Sequence, residues 1–370
     1  MKEFLAERLL AEVLEWNTEE VAQERPILQA LAQYKYDEYQ QFSPGVRFIE
    51  SLAIWLAQFE TPEERKLAYD IVRDKLVFVS DAEIKHLVSI AYSQYIRPLL
   101  INQAASEMKV SRAQVNRITN SNLFKQLRRK TLFLGLSDGA HIGTFRRSNP
   151  RLSNEQIRPS YEMPKSRIQD LLIDLRKDLS QIDSNSRNLD NEGFSTLILL
   201  DDFSASGLSY FRETNKGQYK GKVAKLLQRL MENSDDISFA QLFEHGPLNI
   251  VILLYVATVA ACSYLREAIE QFNIRSSHRH VNVQLMVLQE IPASTQIGSE
   301  YEALLKRYYD EGIVDRHYKV GNSDKPYLGF NECALPVVLN HNTPNNSVPL
   351  LWFDENRKYK GLFPRVSRHK

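Results

Sequence analysis

Two adjacent acids and the small residues that follow them are the part of this sequence best suited to chemistry. Asp201 and Asp202 come directly after the apolar run 196–200, and residues 204–209 then read Ser-Ala-Ser-Gly-Leu-Ser. In a short loop that enters a helix, successive backbone N–H groups converge on one anion, and serine hydroxyls add further donors. Two carboxylates repel a phosphate, but they accept hydrogen bonds from sugar hydroxyls or help to hold a cation between sugar and phosphate. The segment therefore predicts a site for a sugar phosphate.

The elements that must position this segment alternate between short apolar runs and helical patterns. The apolar runs, each typical of a strand buried on both faces, are residues 132–136, 196–200, 250–256, 281–288 and 334–339. The helical patterns between them cover residues 166–179, 223–231, 258–272 and 300–309. Such alternation predicts an α/β domain with a mainly parallel sheet. Ligands bind to such a sheet beyond the carboxyl ends of its strands, where the two acids lie.

The first part of the chain has a different texture. Apolar residues recur there at three- and four-residue steps, which predicts helices. Three segments, residues 61–64, 80–83 and 111–114, have a capping residue followed three positions later by Glu or Gln. Because no low-complexity linker interrupts the chain, we expect a helical region, residues 1–130, packed on an α/β domain, residues 131–370.

Composition excludes several classes of protein. The 370 residues include 47 Lys and Arg against 46 Asp and Glu, so the chain is not a strongly basic nucleic-acid binder, although a local patch is compatible with this balance. Cys262 and Cys333 are too few for a disulfide framework or a cysteine-rich zinc site. The first residues carry acids where a signal peptide is apolar, and the longest apolar run, 250–262, is shorter than the about 18 residues that span a bilayer. We expect a cytoplasmic protein with no membrane segment.

Residues 197–209 resemble the phosphoribosyl-pyrophosphate (PRPP) signature of type I phosphoribosyltransferases: four apolar residues, two acids, a hydrophobic residue, small and hydroxyl residues, then Gly-x-Ser/Thr. The resemblance implies that Asp201 and Asp202, the catalytic acids, engage the ribose 2′ and 3′ hydroxyls. It assigns the 5′-phosphate to a phosphate loop made of Ser204, Ala205, Ser206, Gly207, Leu208 and Ser209. The positions that match the family's pyrophosphate loop, after the first strand of the sheet, are Ser137, Asp138 and Gly139. It also implies Mg²⁺ bound through PRPP and, in an active enzyme, displacement at the anomeric carbon of the ribose.

Residues 329–334 and 340–352 resemble a narrower group, the phosphoribosyltransferase-like proteins of bacterial conflict, or antiphage, systems. The resemblance extends approximately from Arg47 to Arg368. It implies phosphoribosyl transfer to an unknown acceptor, beside partner proteins of a defence operon, some of them of retron type. A second hypothesis is a non-catalytic nucleotide sensor or scaffold that controls a partner effector, because no base-specific hood is recognisable and residues 216–236 have the pattern of an insertion.

Two further motifs point to other functions. Residues 217–223 approximate the P-loop that would make the acid strand part of an NTPase, but one residue is missing between the glycines and Val223 replaces the magnesium-binding Ser or Thr. Residues 104–118 mimic a helix-turn-helix that reads DNA, yet capped helix pairs of this kind are common and no basic excess supports nucleic-acid binding.

Two groups of polar residues have an ordinary explanation beside a functional one. Cations that could neutralise a leaving pyrophosphate, or simply occupy a solvated loop, are Arg146, Arg147, Arg151 and Arg158. Residues that could face the acceptor, or simply form turns, are Asn342, Thr343, Asn345 and Asn346.

Overall fold

The computed structural model describes residues 3–183, 189, 191–214, 218–231, 238–243, 246–275, 281–313, 323–354 and 357–365. Residues 184–188 and 233–236, whose polar composition predicts surface loops, lie outside these ranges. Within the described ranges, no helix combines the length and apolar character needed to cross a membrane.

Helices dominate the first part of the chain and alternate with strands in the middle. The α-helices are α1 (Glu3–Val13), α2 (Thr18–Tyr34), α3 (Phe48–Leu56), α4 (Pro62–Asp70), α5 (Asp81–Ile90), α6 (Arg97–Glu107), α7 (Val115–Asn120), α8 (Asn122–Arg129), α9 (Ile142–Ser148), α10 (Lys165–Ile182), α11 (Lys222–Met231), α12 (Val259–Arg275) and α13 (Glu302–Arg307). The strands are β1 (Val77–Val79), β2 (Thr131–Gly135), β3 (Ile157–Arg158), β4 (Thr196–Ser204), β5 (Arg212–Glu213), β6 (Tyr219–Lys220), β7 (Leu248–Thr258), β8 (Val281–Ile291) and β9 (Val337–Leu339).

The chain divides into two compact units. One, here called the terminal unit, contains Met1–Glu83 and Pro292–Lys370, and the other, the sheet unit, contains Ile84–Ile291. This division differs from the expected boundary at residue 130, since it groups the end of the chain with its beginning.

The sheet unit is built on a five-stranded sheet in the order β3-β2-β4-β7-β8, and every neighbouring pair is parallel. This confirms the predicted α/β class with its mainly parallel sheet. Helices α10, α11 and α12 connect β3 to β4, β4 to β7 and β7 to β8, as the alternating pattern predicts. One face of the sheet packs against these helices, with Leu199 and Ile252 on the strands and Leu175 on α10 fully buried.

The terminal unit explains why the run 334–339 is not a strand of the main sheet. Its strand β9 pairs in parallel with β1, with Val77 opposite Val337. Phe363, which is fully buried, lies with its ring centroid 5.2 Å from that of Tyr39 and 5.9 Å from that of Phe48. The last described segment of the chain therefore fills the aromatic core beneath the N-terminal helices.

Two of the three expected capping boxes are present. Thr61 Oγ1 accepts a hydrogen bond from the Glu64 N–H at 3.2 Å, and Ser80 Oγ accepts one from the Glu83 N–H at 3.1 Å. The expectation for residues 111–114 was wrong, since these residues form a turn and α7 begins only at Val115. The hydroxyl of Ser111 accepts a hydrogen bond from the Ala113 N–H within that turn and does not cap a helix.

Candidate functional site

The acid pair and the pyrophosphate loop leave the sheet at the same edge. β2 pairs with β4 as far as Gly135 opposite Leu200, and then turns into residues 137–139. β4 continues beyond this point and stays paired with β7, with Asp201 opposite Leu254. Strand β4 is thus longer than β2, and the part of β4 beyond Leu200 lies beside the pyrophosphate loop. Both acids are in this part of β4, at the carboxyl ends of the strands.

Asp201 is completely buried and is held by side chains from three segments. Ser137 Oγ donates to its Oδ1, while the Tyr210 hydroxyl, at 2.7 Å, and Lys222 Nζ, at 2.8 Å, donate to its Oδ2. Burial and the neighbouring Asp202 raise the pKa of Asp201, and the contacts of Lys222 and Ser137 act in the opposite direction. Asp201 is thus engaged by protein donors on both oxygens, which differs from the expected contact with a ribose hydroxyl.

Asp202 is partly exposed and lies against the pyrophosphate loop. Its Oδ1 accepts a hydrogen bond from the Phe203 N–H at 2.9 Å. A Cβ at position 139 would collide with Oδ2 of Asp202. The pyrophosphate loop can therefore approach this carboxylate closely only because residue 139 is a glycine. Asp202 is therefore the acid of the pair that can face a ligand beyond the strand ends.

The phosphate loop, residues 204–209, is held in a tight turn by contacts on both sides. Ser204 Oγ accepts from the Gly207 N–H at 3.2 Å, and Thr258 Oγ1 donates to the Ala205 carbonyl at 2.6 Å. Gly207 has a φ of +76°, and a Cβ there would lie 2.7 Å from Tyr264 Cδ1, so both the backbone conformation and the close packing require glycine. The loop is shaped by its packing on α12.

The backbone donors of this loop are arranged for an anion. Among the described residues, none accepts a hydrogen bond from the N–H groups of Ser206, Leu208 or Ser209. Ser206 and Leu208 are partly buried and Ser209 is exposed. Three donors on one exposed turn can converge on a phosphate, as the sequence predicts.

The phosphate loop is followed by a turn and a short ribbon before the next helix begins. Leu208–Tyr210 form a turn, after which β5 and β6 pair as a short antiparallel ribbon and α11 begins at Lys222. The helix dipole of α11 therefore does not start at the loop, and the anion site depends on the loop's own N–H and hydroxyl groups. Strand β6 lies within residues 216–236, which have the pattern of an insertion, and β5 directly precedes them.

Lys222 and Tyr210 are site residues that sequence reasoning missed. Lys222 lies in the segment that approximates a P-loop, but its side chain turns back to Asp201, 21 positions earlier in the chain. Tyr210 follows the phosphate loop directly, and burial together with Asp201 and Asp202 raises its pKa well above the ordinary value. The Lys222 contact depends on how the β5–β6 ribbon returns the chain, which no periodic signal in the sequence indicates.

The arginines after the pyrophosphate loop are divided between structural contacts and solvent. Arg146 Nη2 donates to the Ile157 carbonyl at 2.8 Å, and Arg158 Nη1 lies 3.5 Å from Glu155 Oε2. Burial, followed by the nearby positive charge of Arg167, lowers the pKa of Arg158. Arg147 and Arg151 are exposed.

The structure gives turn-forming and packing roles to the residues considered for the acceptor. Asn342 Oδ1 accepts from the Thr343 N–H at 3.0 Å, and Thr343 Oγ1, fully buried, donates to the Phe363 carbonyl at 3.0 Å. The Asn345 carbonyl accepts from the Phe330 N–H at 2.8 Å, and Asn346 Nδ2 donates to the Phe330 carbonyl at 3.1 Å. These contacts build the terminal unit and favour the turn-forming explanation of these residues.

The helix-turn-helix pattern at residues 104–118 falls on α6, a loop and α7. Helix α7 has six residues, and Ile118 in it is fully buried. Such a helix is shorter than one that lies in a DNA groove with several side chains on the bases.

The donor set of the site suits magnesium that arrives with a ligand better than magnesium held by the protein alone. Asp201 has both oxygens engaged and an ammonium group beside it, so Asp202 is the acid that could contact such an ion. In the described ranges, no three His, Cys, Asp or Glu side chains come together as metal ligands would. A resident metal therefore does not fit the side chains of this site.

Comparison with known proteins identifies one family. The family model described as PRTase-CE matches residues 52–365, which include both loops and the acid pair. No curated protein and no solved structure matches the chain.

Proposed function

The chain belongs to the PRTase-CE family and is a phosphoribosyltransferase-like protein; from this premise we propose that it binds PRPP or a related ribose phosphate at the acid pair. The observation that carries the proposal is the contact between the pyrophosphate loop and the acid pair. Ser137 donates to Asp201, and Gly139 lies against the carboxylate of Asp202. A ligand with phosphates at both ends of a ribose would need both loops within reach of one sugar.

Each part of the site would have its own role. The N–H groups of Ser206, Leu208 and Ser209 would hold the 5′-phosphate, far from the bond that breaks, so this binding energy can orient the sugar. Asp202 would accept hydrogen bonds from the ribose hydroxyls. The pyrophosphate loop would lie beside the leaving group. Asp201 would fix the position of the other parts rather than contact the sugar.

In phosphoribosyl transfer, the acceptor forms a bond to the anomeric carbon while the bond from that carbon to the pyrophosphate oxygen breaks and pyrophosphate leaves. Positive charge that develops on the sugar ring would be stabilised by Asp202. Mg²⁺ bound with PRPP would neutralise charge on the pyrophosphate. The proposal leaves the chemical identity of the acceptor open. It also includes partner proteins encoded in an antiphage defence operon, in some cases of retron type, and a location in the cytoplasm.

A second candidate function is a non-catalytic nucleotide sensor or scaffold that controls a partner effector. The observation that favours it is the engagement of Asp201, which leaves a single partly exposed acid at the site. A site of this kind can recognise a ribose phosphate without supplying the second carboxylate that the catalytic interpretation assigns to the sugar.

Isothermal calorimetry with PRPP, with and without magnesium, tests the site. We expect the wild-type protein to bind and Asp202→Asn to bind about tenfold more weakly or worse, since a carboxylate that accepts from hydroxyls would be lost. Glu267→Gln, at an exposed acid on α12, is the matched control and should bind as the wild type does. Absence of binding by the wild-type protein would overturn the proposal. Pyrophosphate release with free bases or the natural partner supports the transferase, and binding without release supports the sensor.

A further inference from the structure

Lys222 supplies the acid pair with a cation of its own. We propose that the site therefore binds the ribose 5-phosphate part of its ligand without a metal ion, and that its ligands include ribose 5-phosphates that carry no pyrophosphate. This inference rests on the proposed function and specifies which part of PRPP the protein recognises by itself.

The ammonium group of Lys222 is fixed by two contacts. Its Nζ lies 2.8 Å from Asp201 Oδ2 and 5.3 Å from the centre of the Tyr210 ring. The Tyr210 hydroxyl donates to the same Asp201 oxygen at 2.7 Å and lies 3.2 Å from the Phe203 carbonyl. An ammonium between a carboxylate and the face of an aromatic ring is stabilised by both, and a buried carboxylate with such partners stays ionised at lower cost.

The backbone of Lys222 is tied to the phosphate loop. Its N–H donates to the Ser209 carbonyl at 2.9 Å. The preceding residue, Gly221, has a φ of +120°, and a side chain at that position would collide with the Tyr210 carbonyl. One residue thus contacts the phosphate loop through its main chain and the acid pair through its side chain.

These contacts leave Asp201 unsuited to a divalent cation. Three donors already share its two oxygens, and the side chain is completely buried. A metal ion on this carboxylate would have to displace Lys222 and then lie beside the displaced ammonium, and two cations at that separation repel each other. Removing the ammonium would also leave a buried charge without its partner.

The phosphate loop and Asp202 determine which ligands suit the site. The N–H groups of the phosphate loop suit one phosphate monoester, and Asp202 suits vicinal hydroxyls. A ribose 5-phosphate supplies both groups, as does the corresponding part of a nucleoside 5′-monophosphate. Neither carries the pyrophosphate with which magnesium would arrive.

The test is calorimetry with ribose 5-phosphate in the presence of EDTA and, separately, of magnesium. We expect the dissociation constant of the wild-type protein to change by less than about twofold between the two conditions. In EDTA, Lys222→Met should bind about tenfold more weakly, because the buried carboxylate of Asp201 loses its cation while the main-chain contact with the phosphate loop is kept. Lys222→Arg keeps the positive charge and should restore most of the affinity. Lys225→Met, at an exposed position on the same helix, should bind as the wild type does.

Two results would overturn the inference: wild-type binding that requires magnesium, or Lys222→Met binding like the wild type. The comparison of EDTA with magnesium on the wild-type protein needs no variant, so it decides the matter even where Lys222→Met fails to fold. PRPP with magnesium separates the two proposals. If the wild type binds PRPP but binds ribose 5-phosphate only with magnesium, this inference alone fails, whereas no binding of either ligand removes the proposed function as well.

Discussion

The hydroxyl of Ser137 donates a hydrogen bond to Oδ1 of Asp201, although 64 positions separate the two residues in sequence. The parallel pairing of β2 with β4, with Gly135 opposite Leu200, brings the ends of these strands to one edge of the sheet. A side chain just after the first strand therefore reaches an acid on the second. Because this hydrogen bond joins the pyrophosphate loop to the acid pair, a substitution in the loop should alter ligand binding at the acid pair.

Gly139→Ala tests how closely the pyrophosphate loop must approach Asp202. An added Cβ would meet the Asp202 carboxylate, while the backbone of Gly139 lies outside the left-handed region and accepts alanine. We expect PRPP affinity to fall about tenfold, because the carboxylate must move, with a change in the free energy of unfolding below about 1 kcal/mol. Calorimetry and thermal unfolding measure the two quantities.

The control for this variant is Gly143→Ala on α9. A Cβ there lies 3.6 Å from the nearest atom, Arg147 Nη1, which is ordinary contact. Replacing a helical glycine by alanine should raise the free energy of unfolding by about 0.5–1 kcal/mol and leave PRPP affinity unchanged. Equal affinity in both variants would contradict the assigned contact between the loop and Asp202.

The raised pKa of Asp201 predicts a pH-dependent effect on stability. Burial and Asp202 raise it above the ordinary value of 3.8. An acid whose pKa is higher in the folded state binds more protons when folded, so its contribution to the free energy of unfolding falls as the pH rises from the unfolded to the folded pKa. Asp201→Asn removes this contribution. The difference in the free energy of unfolding, variant minus wild type, should therefore rise as the pH increases above the ordinary pKa of 3.8.

Urea unfolding followed by far-ultraviolet circular dichroism at a series of pH values measures this difference. The contact with Lys222 lowers the pKa of Asp201, so the loss of this contact in the variant is already included in the net direction of the shift. Asp170→Asn, at an exposed acid on α10, should show no such rise. A difference for Asp201→Asn that is flat or falls with pH would show that the folded-state pKa is not raised.

The strands of the main sheet are predictable from the sequence because strands buried on both faces are continuous apolar runs. Residues 132–135, 196–200 and 250–256 fall on strands of this kind, whereas residues 281–288 fall on β8, an edge strand that is only partly buried over most of this run. The acid pair and the phosphate loop could be located because their residue types follow one of these runs directly. By contrast, β1 has only three residues, too few to show the alternation of side chains typical of a strand. Its partner β9 lies more than two hundred positions later in the chain. The pairing of these two strands in the terminal unit therefore could not be predicted from local sequence.

The side chains around Asp201 could not be predicted for a related reason. Lys222 reaches the acid only because the β5–β6 ribbon returns the chain to the sheet edge. The geometry of that return depends on two-residue strands, whose composition differs little from that of a surface loop. Local residue types therefore indicated a phosphate site, and tertiary contacts decided which of the two acids is engaged by the protein.

The capping residues allow a direct comparison of confirmed and corrected predictions. Thr61→Ala and Ser80→Ala should each lower the free energy of unfolding by about 1 kcal/mol, since each removes the acceptor of an N-terminal helix N–H. Ser111→Ala should cost less than about 0.5 kcal/mol, because Ser111 is exposed and precedes a turn rather than a helix. Urea unfolding followed by circular dichroism compares the three. A loss of about 1 kcal/mol for Ser111→Ala would mean that a helix does begin there.

Phe363→Ala tests whether the end of the chain belongs to the terminal unit. The side chain is fully buried, with its ring centroid 5.2 Å from that of Tyr39, and its loss from a packed core should lower the free energy of unfolding by about 3–5 kcal/mol. The three tryptophans of the chain, Trp16, Trp55 and Trp352, all belong to this unit, so tryptophan fluorescence during urea unfolding reports on it selectively.

Phe4→Ala is the matched control for that experiment. Phe4 lies in the same unit but is 66% exposed, so its removal should shift the fluorescence transition by less than about 0.5 kcal/mol. If Phe363→Ala left the tryptophan transition as unchanged as Phe4→Ala does, then Phe363 would not be part of the core that surrounds the tryptophans. That result would contradict the grouping of the end of the chain with the N-terminal helices.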